Sequence, residues 1–504
     1  MKAPIQLPWS EREPILNALE ALAPGEGVAE HESNDPKALL RYFLPTPSFR
    51  RALNPNAMLI VGERGAGKTE LFRVLGSGQG YAALGEARQG QTLKLIAGFG
   101  RILQQQTDQP DATSVQNTLG TSDDSGWRAF WVGMLVARLL KGAVLQAAAL
   151  PPEVVNALAN PSRVDQWLPV VRSAFNVLIT TLDNLDGMLL REKRAVVVAY
   201  DELDRIVPNY PGLFPPVRVL LSLWLDWWRR WQCIRPKIII RTDLWESRLL
   251  AFPDASKLSG HKVELEWSRP YLYRMAIKRM LNGPPVLAEF AKRGATAGGH
   301  ALELQVHTDP PLGVEPVLNE AAFADVITAL VGEYMGANPR KGWSYDWIPN
   351  HVADSQGRVL PRPFLKLLAL TARSALDRAS STTSTQGPLL VPADFASALI
   401  KTSEVRLQEL EEERAWLKLL RPEFKGGTVP MERAEVLSRL HKISWPNPTD
   451  AQAPPTTDAE RLLEDYLVKL GIMELRSDGR LNVPDIYRHG LSLARKGGVA
   501  RKAV

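Results

Sequence analysis

A lysine and a threonine close the run Gly62-Glu63-Arg64-Gly65-Ala66-Gly67-Lys68-Thr69. Glycines at this spacing let the backbone curl until successive N–H groups face a β-phosphate. Lys68 then spans the β- and γ-phosphates, and the Thr69 hydroxyl reaches a magnesium ion. The chemistry expected of the set is the binding of a nucleoside triphosphate, ATP, with Mg2+. A Gly-rich turn followed by a chance Lys-Thr is the bland alternative. Against it stand the apolar run Ala57-Met58-Leu59-Ile60-Val61 in front and Glu70-Leu71-Phe72-Arg73-Val74-Leu75 behind. These read as the strand that feeds such a loop and the helix whose positive end adds to the same anion.

A second group of reactive side chains closes the run Arg194-Ala195-Val196-Val197-Val198-Ala199-Tyr200. Asp201 is placed to hold the magnesium shell, directly or through water, and Glu202 to polarise an attacking water. Asp204 caps the next segment or serves a neighbouring subunit. The competing reading is a solvated acidic turn after a buried strand. A third apolar run, Lys237-Ile238-Ile239-Ile240-Arg241, ends in Thr242-Asp243. At a strand's C-terminal end either residue can report on the γ-phosphate or fix the water, and a turn-stabilising pair is the alternative. Arg362 precedes a helical segment whose amide end attracts anions, so it is read as a lid arginine, against a surface salt bridge.

The elements that must position these groups follow from hydrophobic pattern and breakers. A continuous β-branched run such as 194–200 is expected where both faces of a parallel sheet are covered. Residues 92–97 and 263–267 are further strand-like runs, and 127–140 is a long apolar helix against the sheet. Trp224, Trp227, Trp228 and Trp231 recur at helical spacing; packing on the sheet is preferred over a protomer interface. The expected organisation is a helical preface at 1–55 and a core at 56–280, with an irregular, polar insertion at 76–126. A helical lid at 281–400, a charged helical connector at 401–425 and a winged-helix-like module at 426–504 follow. The turn Ser477-Asp478-Gly479 marks a hairpin in that last module. Arg488, Arg495, Lys496, Arg501 and Lys502 make its end basic, the expected place for any phosphate contact with duplex DNA, with protein docking as the alternative.

The 504 residues suffice for several domains, and 45% hydrophobic with 23% charged residues is ordinary for a globular protein. No apolar stretch reaches bilayer length and the first residues lack an apolar signal core, so a cytoplasmic protein with no membrane partner is expected. The single cysteine, Cys233, excludes an intrachain disulfide and a thiolate zinc site, and the seven histidines are scattered. A net charge of +6 permits nucleic-acid contact without requiring it. No nuclease, protease or deaminase constellation is present in the pattern.

Taken together, these motifs resemble the AAA+ and STAND-related branch of P-loop ATPases over residues 56–399. The C-terminal module and residues 403–410 are similar to those of bacterial P-loop ATPases, some of which occur with effector proteins in antiphage defence operons. The resemblance implies an α/β fold, a P-loop NTPase (AAA+-like) core with a parallel sheet, a helical lid and a winged-helix-like domain. Within it, Lys68 and Thr69 match the Walker A residues and Asp201 and Glu202 the Walker B pair. Thr242 matches the sensor 1 position and Arg362 the sensor 2 position. The implied activity is an ATPase, a motor or switch that assembles with itself, an effector protein or DNA. A nucleotide-gated scaffold or DNA-binding adaptor with little hydrolysis is the alternative. Arg205, Arg229, Arg230 and Arg235 are the candidates for completing a neighbouring protomer's site. The segment 76–126 departs from a minimal AAA+ core.

Overall fold

Strands of Val, Ile and Leu need apolar cover on both faces, and here they receive it. In the computed structural model the main sheet comprises β1 (Leu59–Gly62), β2 (Thr92–Phe99), β3 (Arg194–Tyr200), β4 (Ile234–Arg241) and β5 (Lys262–Glu264). Their spatial order is β2-β3-β4-β1-β5, and every pairing between them is parallel. The structure describes residues 2–23, 36–76, 92–100, 108–120, 122–208, 211–245, 252, 254–307, 312–379, 386–447 and 453–496. The chain divides into two units: Glu32–Glu266 with His307–Gly313, and Met1–His31 with Trp267–Val306 and Val314–Val504.

The first unit is the α/β one. Val196, Val198 and Tyr200 of β3 enter a core with Trp131, Trp167 and Trp224, while Val197 and Ala199, pointing the other way, are equally buried. The helices Asp124–Lys141 and Phe214–Arg230 supply that aromatic layer. Trp131 and Trp224 meet the Tyr200 ring edge-on at 5.8 and 6.0 Å. Trp224, Trp227 and Trp231 are buried, so the tryptophan stripe is packing within the chain.

One expectation is corrected here. Residues 76–126 do not form an irregular insertion throughout, because Thr92–Phe99 pairs along its length with Arg194–Tyr200 as an edge strand of the sheet. A helix, Ala112–Leu119, follows it, capped by Asp111, which accepts from the amides of Thr113 and Ser114. Residues 77–91 and 101–107 lie outside the described residues.

The second unit is mostly helical. Pro361–Ala379 packs on Pro392–Glu413 and on Trp9–Glu20, and Leu7–Pro8 pairs antiparallel with Gln386–Gly387. The expected preface therefore divides, with residues up to His31 belonging to this unit and those from Glu32 to the α/β unit. The expected connector at 401–425 begins inside the 22-residue helix Pro392–Glu413, and Ser403 Oγ accepts from the buried Gly490 amide at 2.9 Å. In the C-terminal module Arg433–His441 and Ala459–Leu462 precede a hairpin, Glu474–Leu475 with Leu481–Asn482, closed by Gly479 at φ 78°. Met431, just before the first of these helices, bridges to Leu481 in the hairpin. No described helix is long and apolar enough to cross a membrane.

Candidate functional site

Parallel strands put all their C-terminal ends on one edge, and the reactive groups of the α/β unit collect there. β1 delivers the loop of Gly62, Glu63, Arg64, Gly65, Ala66 and Gly67, and the helix Lys68–Gly76 leaves it. Gly65 at φ 90° and Gly67 at φ 94° take the left-handed turn that the curl requires. A Cβ on Gly67 would lie 3.1 Å from the Phe49 ring. Phe49 belongs to the helix Pro47–Leu53, whose Ser48 hydroxyl bonds the Glu266 carbonyl just beyond β5 at 3.2 Å. The loop is thus braced from a helix of the preface. Lys68 Nζ donates to the carbonyls of Gly62 and Glu63, both at 2.9 Å, holding the ammonium inside the curl.

β4 separates β1 from β3, so one strand lies between the loop and the two acids. Asp201 is only 5% exposed, and its Oδ2 has no hydrogen-bond partner among the described residues. Burial pushes its carboxyl up to about 7, although the Lys68 ammonium is close enough to pull the other way. A buried carboxylate oxygen with no donor among the described residues, close enough to Lys68 to feel its charge, suits a hard cation with oxygen ligands. No cluster of three or more His, Cys, Asp and Glu able to hold a metal occurs among the described residues. A magnesium ion here would draw on Thr69, Asp201 and phosphate oxygens instead.

Glu202 takes the left-handed conformation, φ 54° and ψ 27°, which costs a non-glycine residue about 1 kcal/mol or more and turns the chain off the strand. Its carboxylate lies 3.6 Å from Arg205. Across the edge, Gly100 at φ 97° approaches so closely that a Cβ would sit 3.0 Å from the Asp201 carbonyl. Arg241 is the last residue of β4, and Thr242 begins the short helix Thr242–Trp245. The guanidinium of Arg241 grips Asp243 with two bonds of 2.9 Å and reaches Asp204 at 3.4 Å.

Arg230 forms a bidentate pair with Asp183, and Arg235 donates to the Trp228 and Gln232 carbonyls while stacking on the Trp228 ring at 4.2 Å. Arg235 opposes Val197 and Arg241 opposes Gly62, so the two lie about 20 Å apart along β4, at opposite ends of the strand. Arg229 is exposed, and its charge reaches the Asp254 carboxylate. In the second unit, Arg362 lies in the first turn of Pro361–Ala379 and donates to Glu409 at 3.2 Å. Arg488 and Arg495 both bind Asp485, at 2.6 and 3.0 Å; Lys496 donates its backbone amide to Val429, and Arg501 and Lys502 fall outside the described residues.

Sequence reasoning missed Phe49, Gly100, Arg241 and Lys237. The last is fully buried in β4, its amine donating to the carbonyls of Ala57 and Asn54 ahead of the loop, and burial holds it well below the ordinary lysine range. A charged residue ending a buried strand was the one available signal for Arg241. Packing of Phe49 on a glycine eighteen residues away has no local signature.

No family model and no curated relative matches the chain. Among solved structures it is similar to the ORC2 protein of Aeropyrum pernix, described in ADPNP-ADP complexes, at 13% identity. That likeness covers 95% of this chain and 90% of that one, with a TM-score of 0.34. At that level it carries no argument about activity.

Proposed function

We propose that the chain binds ATP with Mg2+ and hydrolyses it, acting as an AAA+/STAND-like motor or switch. The observation that supports this most is the meeting, on one edge of a parallel sheet, of a curled glycine loop holding Lys68 and a buried carboxylate, Asp201, followed by Glu202. In this reading the loop amides of residues 62–68 and the start of the helix Lys68–Gly76 bind the phosphates. Lys68 exchanges its two carbonyl partners for phosphate oxygens. Thr69 and Asp201 would hold the metal, which would supply positive charge to offset that of the phosphates. Glu202 orients the attacking water and takes its proton. Assembly with further copies, an effector protein or DNA, and a role in defence, rest on the family resemblance alone.

Replacing Glu202 with Gln tests the reading. ATP binding is expected to persist while turnover falls by about 100-fold or more. Wild-type turnover in E202Q removes Glu202 from the mechanism. Failure of the wild-type protein to bind ATP with magnesium removes the whole reading, and binding without turnover points to a nucleotide-gated scaffold.

A further inference from the structure

We propose that Arg241 is a positioning residue for Glu202, acting through its ion pair with Asp204. The inference rests on the ATPase reading above and deepens it. Glu202 occupies a left-handed backbone conformation that only its surroundings can maintain. The turn that follows, Leu203–Arg205, is short; the Arg205 amide donates to the Glu202 carbonyl at 2.9 Å, and the half-exposed Arg205 guanidinium lies 3.6 Å from the Glu202 carboxylate. A turn of three residues has little hold of its own, so it needs an external tether.

Arg241 supplies that tether. It ends β4, the strand between the glycine loop and the acids, directly opposite Gly62 in register. Its guanidinium is only 12% exposed and is aimed by the planar, two-bond grip on Asp243. The remaining reach, 3.4 Å to Asp204 Oδ2, lands in the middle of the Leu203–Arg205 turn. Asp243 fixes the arginine, the arginine fixes Asp204, and Asp204 fixes the turn that directly follows Glu202.

Electrostatics and positioning make opposite forecasts here, which makes the proposal testable. Removing Arg241 deletes a positive charge near the site, and removing Asp204 deletes a negative one. If charge alone mattered, R241Q and D204A would move turnover in opposite directions. If the ion pair positions Glu202, both lower kcat, by about 10–100-fold. The KM for ATP stays within about twofold, because the glycine loop is untouched. The double variant R241Q/D204A is then no slower than the slower single variant, since the same interaction is lost once. Arg241→Lys, which keeps the charge but not the planar grip, recovers part of the loss.

Steady-state ATP turnover, binding of a non-hydrolysable ATP analogue and thermal unfolding are measured on the full chain for all four variants. Opposite-signed effects, additive losses, or unchanged kcat in R241Q or D204A overturn the proposal while leaving the ATPase reading intact. Should R241Q fail to fold, D204A and the wild type decide alone. A wild-type chain that binds the analogue but never turns over ATP overturns both.

Discussion

At the scale of single residues, the chemistry is set by how far burial displaces a carboxyl group. Asp201 is raised to about 7 chiefly because it is out of water, with Asp204 and Glu202 adding repulsion. Its ordinary value is about 4. Between about pH 4 and 7 the unfolded chain has therefore lost a proton that the folded chain keeps, so stability falls as pH rises through this window. In the nucleotide-free protein this amounts to about 1–3 kcal/mol of lost stability from pH 5 to 7.5. D201N lacks that slope. Denaturant unfolding of both proteins at the two pH values measures it, and equal slopes would mean that Asp201 is already ionised in the folded state. In the proposed reading the same carboxylate must be charged to hold magnesium, so magnesium-dependent ATP binding is expected to strengthen as pH rises through 7 in the wild type and to be lost in D201N.

At the scale of elements, the strand ends matter because helices pin the strands at their other ends. Asp186, buried near the end of the helix Phe175–Arg191, accepts from the amides of Gln232, Cys233 and Ile234 at 2.9, 2.7 and 2.9 Å. It fixes the start of β4, whose far end carries Arg241. Asp186→Ala leaves three amide donors without their acceptor, and a loss of about 3–5 kcal/mol in unfolding free energy is expected, with analogue affinity in the folded protein unchanged. An unaltered unfolding midpoint would show that water replaces the carboxylate freely. None of this was legible in the sequence, where Asp186 is one of several polar residues in an amphipathic helix. The glycine loop, the strand Arg194–Tyr200 and its acids were legible, because glycine spacing and runs of Val report local geometry directly. Thr92–Phe99 was legible as a strand yet not as a member of the sheet, since Gly, Gln and Ser crowd its flanks and its partner lies a hundred residues on. Arg241 went unassigned because its meaning depends on Asp204 and Asp243 converging from two different turns.

At the scale of the whole molecule, the issue is whether the basic end of the chain marks a nucleic-acid surface. In a helix-turn-helix the second helix enters the major groove and must offer donors and positive charge to phosphates and bases. Here the corresponding helical stretch from Ala459 exposes Glu460, Arg461, Glu464 and Asp465. Arg433 is drawn onto both Glu460 and Glu464, Lys469 onto Asp465, and Arg480 onto Asp478 in the hairpin turn. Arg488, only 14% exposed, and Arg495 share Asp485, which also faces His351 at 3.6 Å. Cations already matched by carboxylates release few counterions on meeting DNA, and the acidic helix face repels the backbone. We therefore expect R488A/R495A to leave duplex affinity, and the slope of its logarithm against log salt, unchanged in fluorescence anisotropy. The same variant uncovers the Asp485 carboxylate and lowers the melting temperature. A salt slope that drops by about 2 on removing the two arginines would instead make them phosphate contacts and restore the DNA-binding reading of this module.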